Sequence, residues 1–254
     1  MKKVLFPISA LLLFISSGCI KESSPKEIKQ LQERGGACSG EFSSLEIQSI
    51  GTMHNTVVMD VFENYDFETT NIDLELRTNF ASAYSSLTYN QVTNIINVAT
   101  STFDINDHTA SINDPLVYSY YDDICDLLNN FSIISELNEE LDKLEESIIE
   151  DLECTDRDFL LVCISVARNS SSLWAPVSIG GSGYYDDIEE KLELMGAVQY
   201  RINWRNVAEA DLWGAASAFF AYGFGLAVPG TNAAIAISIA YSAGFSSVTA
   251  MAHK

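Results

Sequence analysis

The stretch 212-LWGAASAFFAYGFGLAVPG-230 is followed two residues later by 233-AAIAISIAYSAGFSSVTAMA-252, and neither run contains a charged residue. Between them Pro229, Gly230, Thr231 and Asn232 form a turn in which proline ends one helix and asparagine caps the next. The pair therefore reads as a helical hairpin. At 1.5 Å per residue the part of the first run from Leu212 to Val228 reaches about 25 Å and the second run about 30 Å, against a hydrocarbon core of about 30 Å. Length permits membrane insertion, but composition argues for it weakly. Leu212, Phe219, Phe220, Phe224, Leu226 and Val228 each favour insertion by a few tenths of a kcal/mol, whereas many other positions are Gly, Ala, Ser or Tyr. The small residues are ordered, with Ser217, Ala221 and Gly225 at steps of four, and likewise Ala236, Ala240 and Gly244. That spacing gives each helix a smooth side and predicts close packing between the two.

A helix that is apolar all round lies at the centre of a bundle or inside lipid. The upstream sequence decides which reading is preferred. Between residues 45 and 67, Ile50, Met53, Val57, Val61 and Tyr65 recur at steps of three and four, the period of one helical face. Residues 73–87 and 90–103 continue in that manner, and Pro115 opens a further helix. In IISELNEELDKLEESIIEDLE, Ile134, Leu137, Leu141, Leu144 and Ile148 form one apolar seam with acids on the other faces. Thr155 with Asp158 reads as a cap opening a helix over 156–169, residues 170–183 read as a Ser- and Gly-rich loop, and a helix is expected over 184–204. Strand alternation and hairpin turn signals are missing. The expected fold is all-α: a helical bundle with a central, uncharged, small-residue hairpin (211–252), its surface covered by the acidic amphipathic helices. The alternative is a hairpin that leaves the bundle and enters a membrane, an architecture that resembles colicin-type pore-forming toxins.

The amino terminus supplies an address. Lys2 and Lys3, an apolar run from Val4 to Ile15 and the small residues Ser16, Ser17 and Gly18 precede Cys19, the order of an export leader. Ser-Gly-Cys resembles the bacterial lipobox, which implies a signal peptide over 1–18 and a mature protein beginning with acylated Cys19. Ser16 stands where that pattern usually has Leu. Residues 19–37 read as a polar, lipidated tether, and 38–254 as a single helical domain. Lys21-Glu22 resembles the short charged signals that sort some lipoproteins to the cell surface. The expected location is the bacterial envelope at the outer membrane, and the expected partners are that membrane, through palmitate-type acyl chains, and a protein in the envelope.

The remaining cysteines, Cys38, Cys125, Cys154 and Cys163, are an even set in an exported chain and fit two disulfides with three connectivities. A Cys154–Cys163 bridge would tie a helix to the loop before it. No pair has zinc-clamp spacing. The net charge of −21 excludes nucleic acid, whose phosphates need clustered Lys and Arg.

Chemistry is scarce. Of the three histidines, His54, His108 and His253, no two have metal-site spacing, and no P-loop, dinucleotide or nucleophile-elbow motif occurs. Asp104, Asn106 and His108 begin like a calcium loop, but Thr109 and Pro115 occupy the positions that need Gly and Glu. No metal, cofactor or enzymatic activity is expected. Ile50-Gly51-x-Met53-His54-Asn55 and Ala208-x-Ala210-Asp211-x-x-Gly214-Ala215 together resemble a group of exported helical proteins of Bacteroidota-type bacteria that have no established activity. The resemblance makes His54, Asn55 and Asp211 the functional candidates. Read from the residues alone, His54 and Asn55 satisfy buried backbone groups and Asp211 caps the apolar helix. The function expected is therefore that of an envelope lipoprotein with a binding or structural role, with a pore-forming or bacteriocin-like membrane activity as the alternative.

Overall fold

The computed structural model describes residues 42–63, 97–98, 103–108, 112–194, 203–223 and 232–252, all within the compact unit Cys38–Lys254. The leader, the tether with Cys19, Cys38, and nearly all of the helices expected over 73–87 and 90–103 lie outside the described residues.

Helix α1, Ser44–Glu63, is opened by a reciprocal capping box: the Glu46 N–H donates to Ser43 Oγ while Ser43 N–H donates to the Glu46 carboxylate. Its buried residues, from Ile47 through Ile50, His54 and Val57 to Val61, form one face. Helix α2, Leu116–Asn130, starts at Pro115 and buries Val117, Tyr121, Ile124 and Leu128. Helix α3, Ile134–Asp151, buries the seam Ile134, Leu137, Leu141 and Ile148. Short turns reverse the chain after α2 and after α3, so α2 runs in the same direction as α4, Cys154–Trp174.

From Phe159 to Ala167 every residue of α4 is buried, which marks it as a central helix. It carries α2 and α3 on one side and α1 on another. Asp156 and Asp158 near its start do not cap it, contrary to the Thr155–Asp158 expectation. Glu153 is the capping residue and makes no side-chain cap bond. Asp156 instead accepts from the backbone N–H groups of Asn113 and Asp114, and Asp158 from that of Phe42. Both carboxylates staple earlier chain segments to α4. Burial raises the Asp156 carboxyl above its usual range, against the two amides that lower it.

The expected loop over 170–183 is also corrected. α4 continues through SSSLW to Trp174; within it Ser172 donates to the Arg168 carbonyl and buried Ser170 donates to a partner on another helix. The following 3-10 turn, Val177–Ile179, and the glycines after it are held to the end of α4. Ser182 donates from its N–H to Ser172 O and from its hydroxyl to Leu173 O, and Gly183 N–H donates to Ala175 O. GGSG is thus a fixed turn, with Gly180 and Gly183 at positive φ, leading into α5, Tyr184–Leu194.

Helix α6, Trp204–Ala218, begins where the 184–204 helix was expected to end. Asn203 accepts from Arg205 N–H as its cap, and a π-helical turn, Phe219–Gly223, continues it. The Arg205 guanidinium donates to the carbonyls of Leu128, Asn129 and Phe131 and lies over the rings of Phe131 and Trp204. It thereby satisfies the open carbonyl end of α2. Helix α7, Asn232–Ala252, packs on α6 and on α1.

Helices α6 and α7 are therefore packed within an all-α bundle, and no strand occurs among the described residues. Gly214 of α6 faces α7: a Cβ there would lie 2.2 Å from Ser246 Oγ and 2.7 Å from Ser242 O. Gly244, in the Ala236-Ala240-Gly244 row, serves a different neighbour from the expected one: a Cβ there would meet Val57 of α1 at 3.0 Å, so this glycine lets α7 approach α1.

Of the cysteines, Cys125 and Cys163 are free thiols in the structure. Cys154 and Cys163 lie on one helix, nine residues and about 13 Å apart at 1.5 Å per residue. A disulfide needs Cα atoms within about 7 Å, so a Cys154–Cys163 bridge is excluded.

Candidate functional site

The two sequence motifs, from opposite ends of the chain, meet where α1, α4 and α6 cross. Gly51 allows the crossing, since a Cβ there would stand 2.5 Å from Ser165 O and 2.4 Å from Asn169 Nδ2. Ser165 fastens it by donating to Ile47 O at 2.8 Å. One turn later His54 and Asn55 reach across. Asn55 Nδ2 donates to Asn169 O at 3.0 Å, which points its Oδ1 at His54 Nδ1, 2.8 Å away.

The other ring nitrogen faces α6. His54 Nε2 lies 3.0 Å from Asp211 Oδ2, and both side chains are fully buried. The approach is a close polar contact whose angle falls short of a hydrogen bond. Oδ2 also accepts from Ser170 Oγ at 2.6 Å and from Trp174 Nε1 at 2.9 Å. Indole N–H is a donor only, so Oδ2 acts as an acceptor. The imidazole is thus held between the Asn55 amide oxygen on its Nδ1 side and the Asp211 carboxyl group on its Nε2 side.

Asp211 lies in the middle of α6 and does not cap it; that role falls to Asn203. The expectation for Asn55 is met in kind, because it does satisfy a backbone carbonyl. Trp174 closes the cluster from outside, with Phe62 edge-on at 6.1 Å and Tyr184 at 5.6 Å. All three named candidates are thus brought together. Sequence reasoning missed Asn169, Ser170 and Trp174, although Ser170 and Trp174 stand four apart, the helical spacing of one face.

His108 belongs elsewhere. It closes the 3-10 turn Ile105–His108 and stacks on Phe220 at 4.2 Å and Phe103 at 5.3 Å. Asp104 beside it accepts from the backbone and side-chain amides of Asn106, which hold its carboxyl below the usual range. No group of three or more His, Cys, Asp or Glu that could hold a metal occurs among the described residues.

His54 and Asp211 are arranged like two members of a hydrolytic triad, but Ser170 bonds to the carboxylate and not to the imidazole. A nucleophile needs its base within hydrogen-bond reach, so Ser170 is not activated. With His54, Ser170 and Asp211 all at 0% exposure, a substrate would have to open the bundle to touch them. What the fold and the cluster define is a helical bundle locked at its centre by a polar knot. No protein-family model, curated protein or solved structure matches this chain.

Proposed function

We infer that the protein is a lipid-anchored component of the bacterial envelope, held to the outer membrane through Cys19, whose helical domain has a binding or structural role. The observation that carries the non-catalytic part of this reading is the total burial of the His54–Asp211–Ser170–Trp174 cluster. It fixes α6 to α1 and α4 and leaves no reactive group of the cluster within reach of a ligand. The anchor rests on the leader and the lipobox-like Ser-Gly-Cys. The acidic exterior favours a neutral or cationic surface on any protein partner. Among the described residues no helix is long and apolar enough to cross a membrane.

The test uses the full chain in a Gram-negative host. The wild-type protein is expected to lose residues 1–18, to carry acyl mass on Cys19 and to fractionate with outer membranes. Cys19→Ala should abolish acylation and membrane recovery together. An unacylated wild-type protein would sink the anchor. The folded domain over residues 20–254, added to dye-loaded vesicles, should release no dye; leakage would favour the membrane-active reading.

A further inference from the structure

The Cys125 and Cys163 thiols stand on neighbouring helices in matching register, and we propose that in the exported protein they are joined by a disulfide that clamps α2 to α4. Register is fixed at two levels. At the start of both helices, Asp156 of α4 accepts from the backbone amides of Asn113 and Asp114, just before α2. One turn into the contact, the Tyr121 ring of α2 stacks on the Phe159 ring of α4, with centroids 5.9 Å apart and planes at 18°. Because the two helices run in the same direction, advancing four residues on each brings the next pair of same-face positions level. Those positions are Cys125 and Cys163.

The surroundings agree with this placement. Each thiol raises the Tyr121 phenol above its usual range, after the larger effect of burial, and the Cys125 thiol disfavours ionisation of Cys163. The same register excludes the competing partner on α4. Cys154 lies nine residues before Cys163, about 13 Å away along the axis, beyond disulfide reach of a residue level with Cys163.

The bond forms by thiol–disulfide exchange with a small or protein disulfide, R–S–S–R. One thiolate attacks it and releases RS⁻; the second then attacks the mixed disulfide and releases the other RS⁻. Two cysteine thiols are oxidised, one external disulfide is reduced, and the two thiol protons end on the leaving sulfurs. Burial pushes the Cys125 thiol up to about 12 and also raises that of Cys163 well above the usual thiol range. Exchange needs the thiolate, so the bond forms while the chain folds and only slowly once it is folded.

The inference rests on the proposed export to an oxidising compartment, and the experiment separates the two. Full-length protein is recovered from the host envelope, denatured, alkylated before any reduction and mapped by peptide mass. The expected result is one peptide pair linking Cys125 to Cys163, both unalkylated until reductant is added. Reduction should lower the Tm of the wild type but not of Cys163→Ser, in which Cys125 becomes alkylatable. Direct alkylation of both residues in leader-cleaved protein, or a link from either to another cysteine, overturns the clamp. If the leader is retained, the export reading fails instead. The pairing is then read from reduced, unfolded full chain refolded in a glutathione redox buffer, where absence of the Cys125–Cys163 peptide overturns it.

Discussion

Two regions of this bundle are built on different principles. Along α2 and α3 the chain repeats Val117, Tyr121, Ile124, Leu128 and then Ile134, Leu137, Leu141, Ile148 on one face, with acids outside. Each residue there stabilises in proportion to the apolar area it buries, and its neighbour in the seam is one turn away. Where α1, α4, α6 and α7 meet, the contacts instead join residues distant in sequence: Asn55 with Asn169, Ser170 with Asp211, and Gly214 with Ser246. These are polar groups or absent side chains that gain nothing alone. The seam tolerates change gradually, whereas the junction depends on every partner being in place.

The comparison is broken most sharply at Asp211. Asp211→Ala leaves Ser170 and Trp174 buried without their acceptor and His54 without the carboxyl group it faces. A loss of about 3–5 kcal/mol is expected, read by urea denaturation. His54→Ala should cost a comparable amount, and the double variant less than the sum by about 0.5–3 kcal/mol. Strict additivity would mean that the two side chains do not act as a pair.

Gly214→Leu tests the close approach of α6 and α7. The space for even a Cβ is filled by Ser246 Oγ and Ser242 O, so overpacking should destabilise by about 1–3 kcal/mol. An unchanged or higher Tm would show that the two helices are not packed this way in solution.

A smaller effect is expected at the α2–α4 staple. The folded-state pKa of Asp156 is raised by burial, so the native state holds this proton at a higher pH than the unfolded chain does. Its ionised form therefore costs stability at neutral pH, and the cost fades as pH falls through the raised value. Asp156→Asn keeps an oxygen for the amides of Asn113 and Asp114. It should change stability at pH 7 by less than about 1 kcal/mol and flatten the stability profile in the acid range. An unaltered acid profile would remove Asp156 as its source. Smallest of all, Glu146→Gln on the exposed side of α3 should stay within about 0.5 kcal/mol, and a larger loss would mean that the outer face of the seam is not merely solvated.

Much of the seam was legible because its signal is local. Pro115 announced α2, and the three-and-four spacing from Ile134 to Ile148 placed α3 and its buried face. The failures occurred where a side chain's partner lies elsewhere in the chain. Ser170, Ser171 and Ser172 look like loop residues until Asp211 is present to accept from Ser170. Asp158 looks like a helix cap until the Phe42 amide takes its oxygen. Asp211 looks like the cap of an apolar helix until Asn203 is found holding that place and His54 opposite.

By itself the sequence determined that this chain is helical, strongly acidic and without a recognisable catalytic motif, since periodicity, charge and motif spacing are written along the chain. It also singled out His54, Asn55 and Asp211. Only the tertiary structure decided that helices α6 and α7 pack inside the bundle, that Gly244 serves α1 while Gly214 serves α7, and that the three candidates form one buried cluster with Ser170 and Trp174. An apolar surface is equally satisfied by lipid or by protein, and a polar side chain by any suitable partner. The choice is made only when the remaining helices supply a surface of matching shape and donors at hydrogen-bond distance.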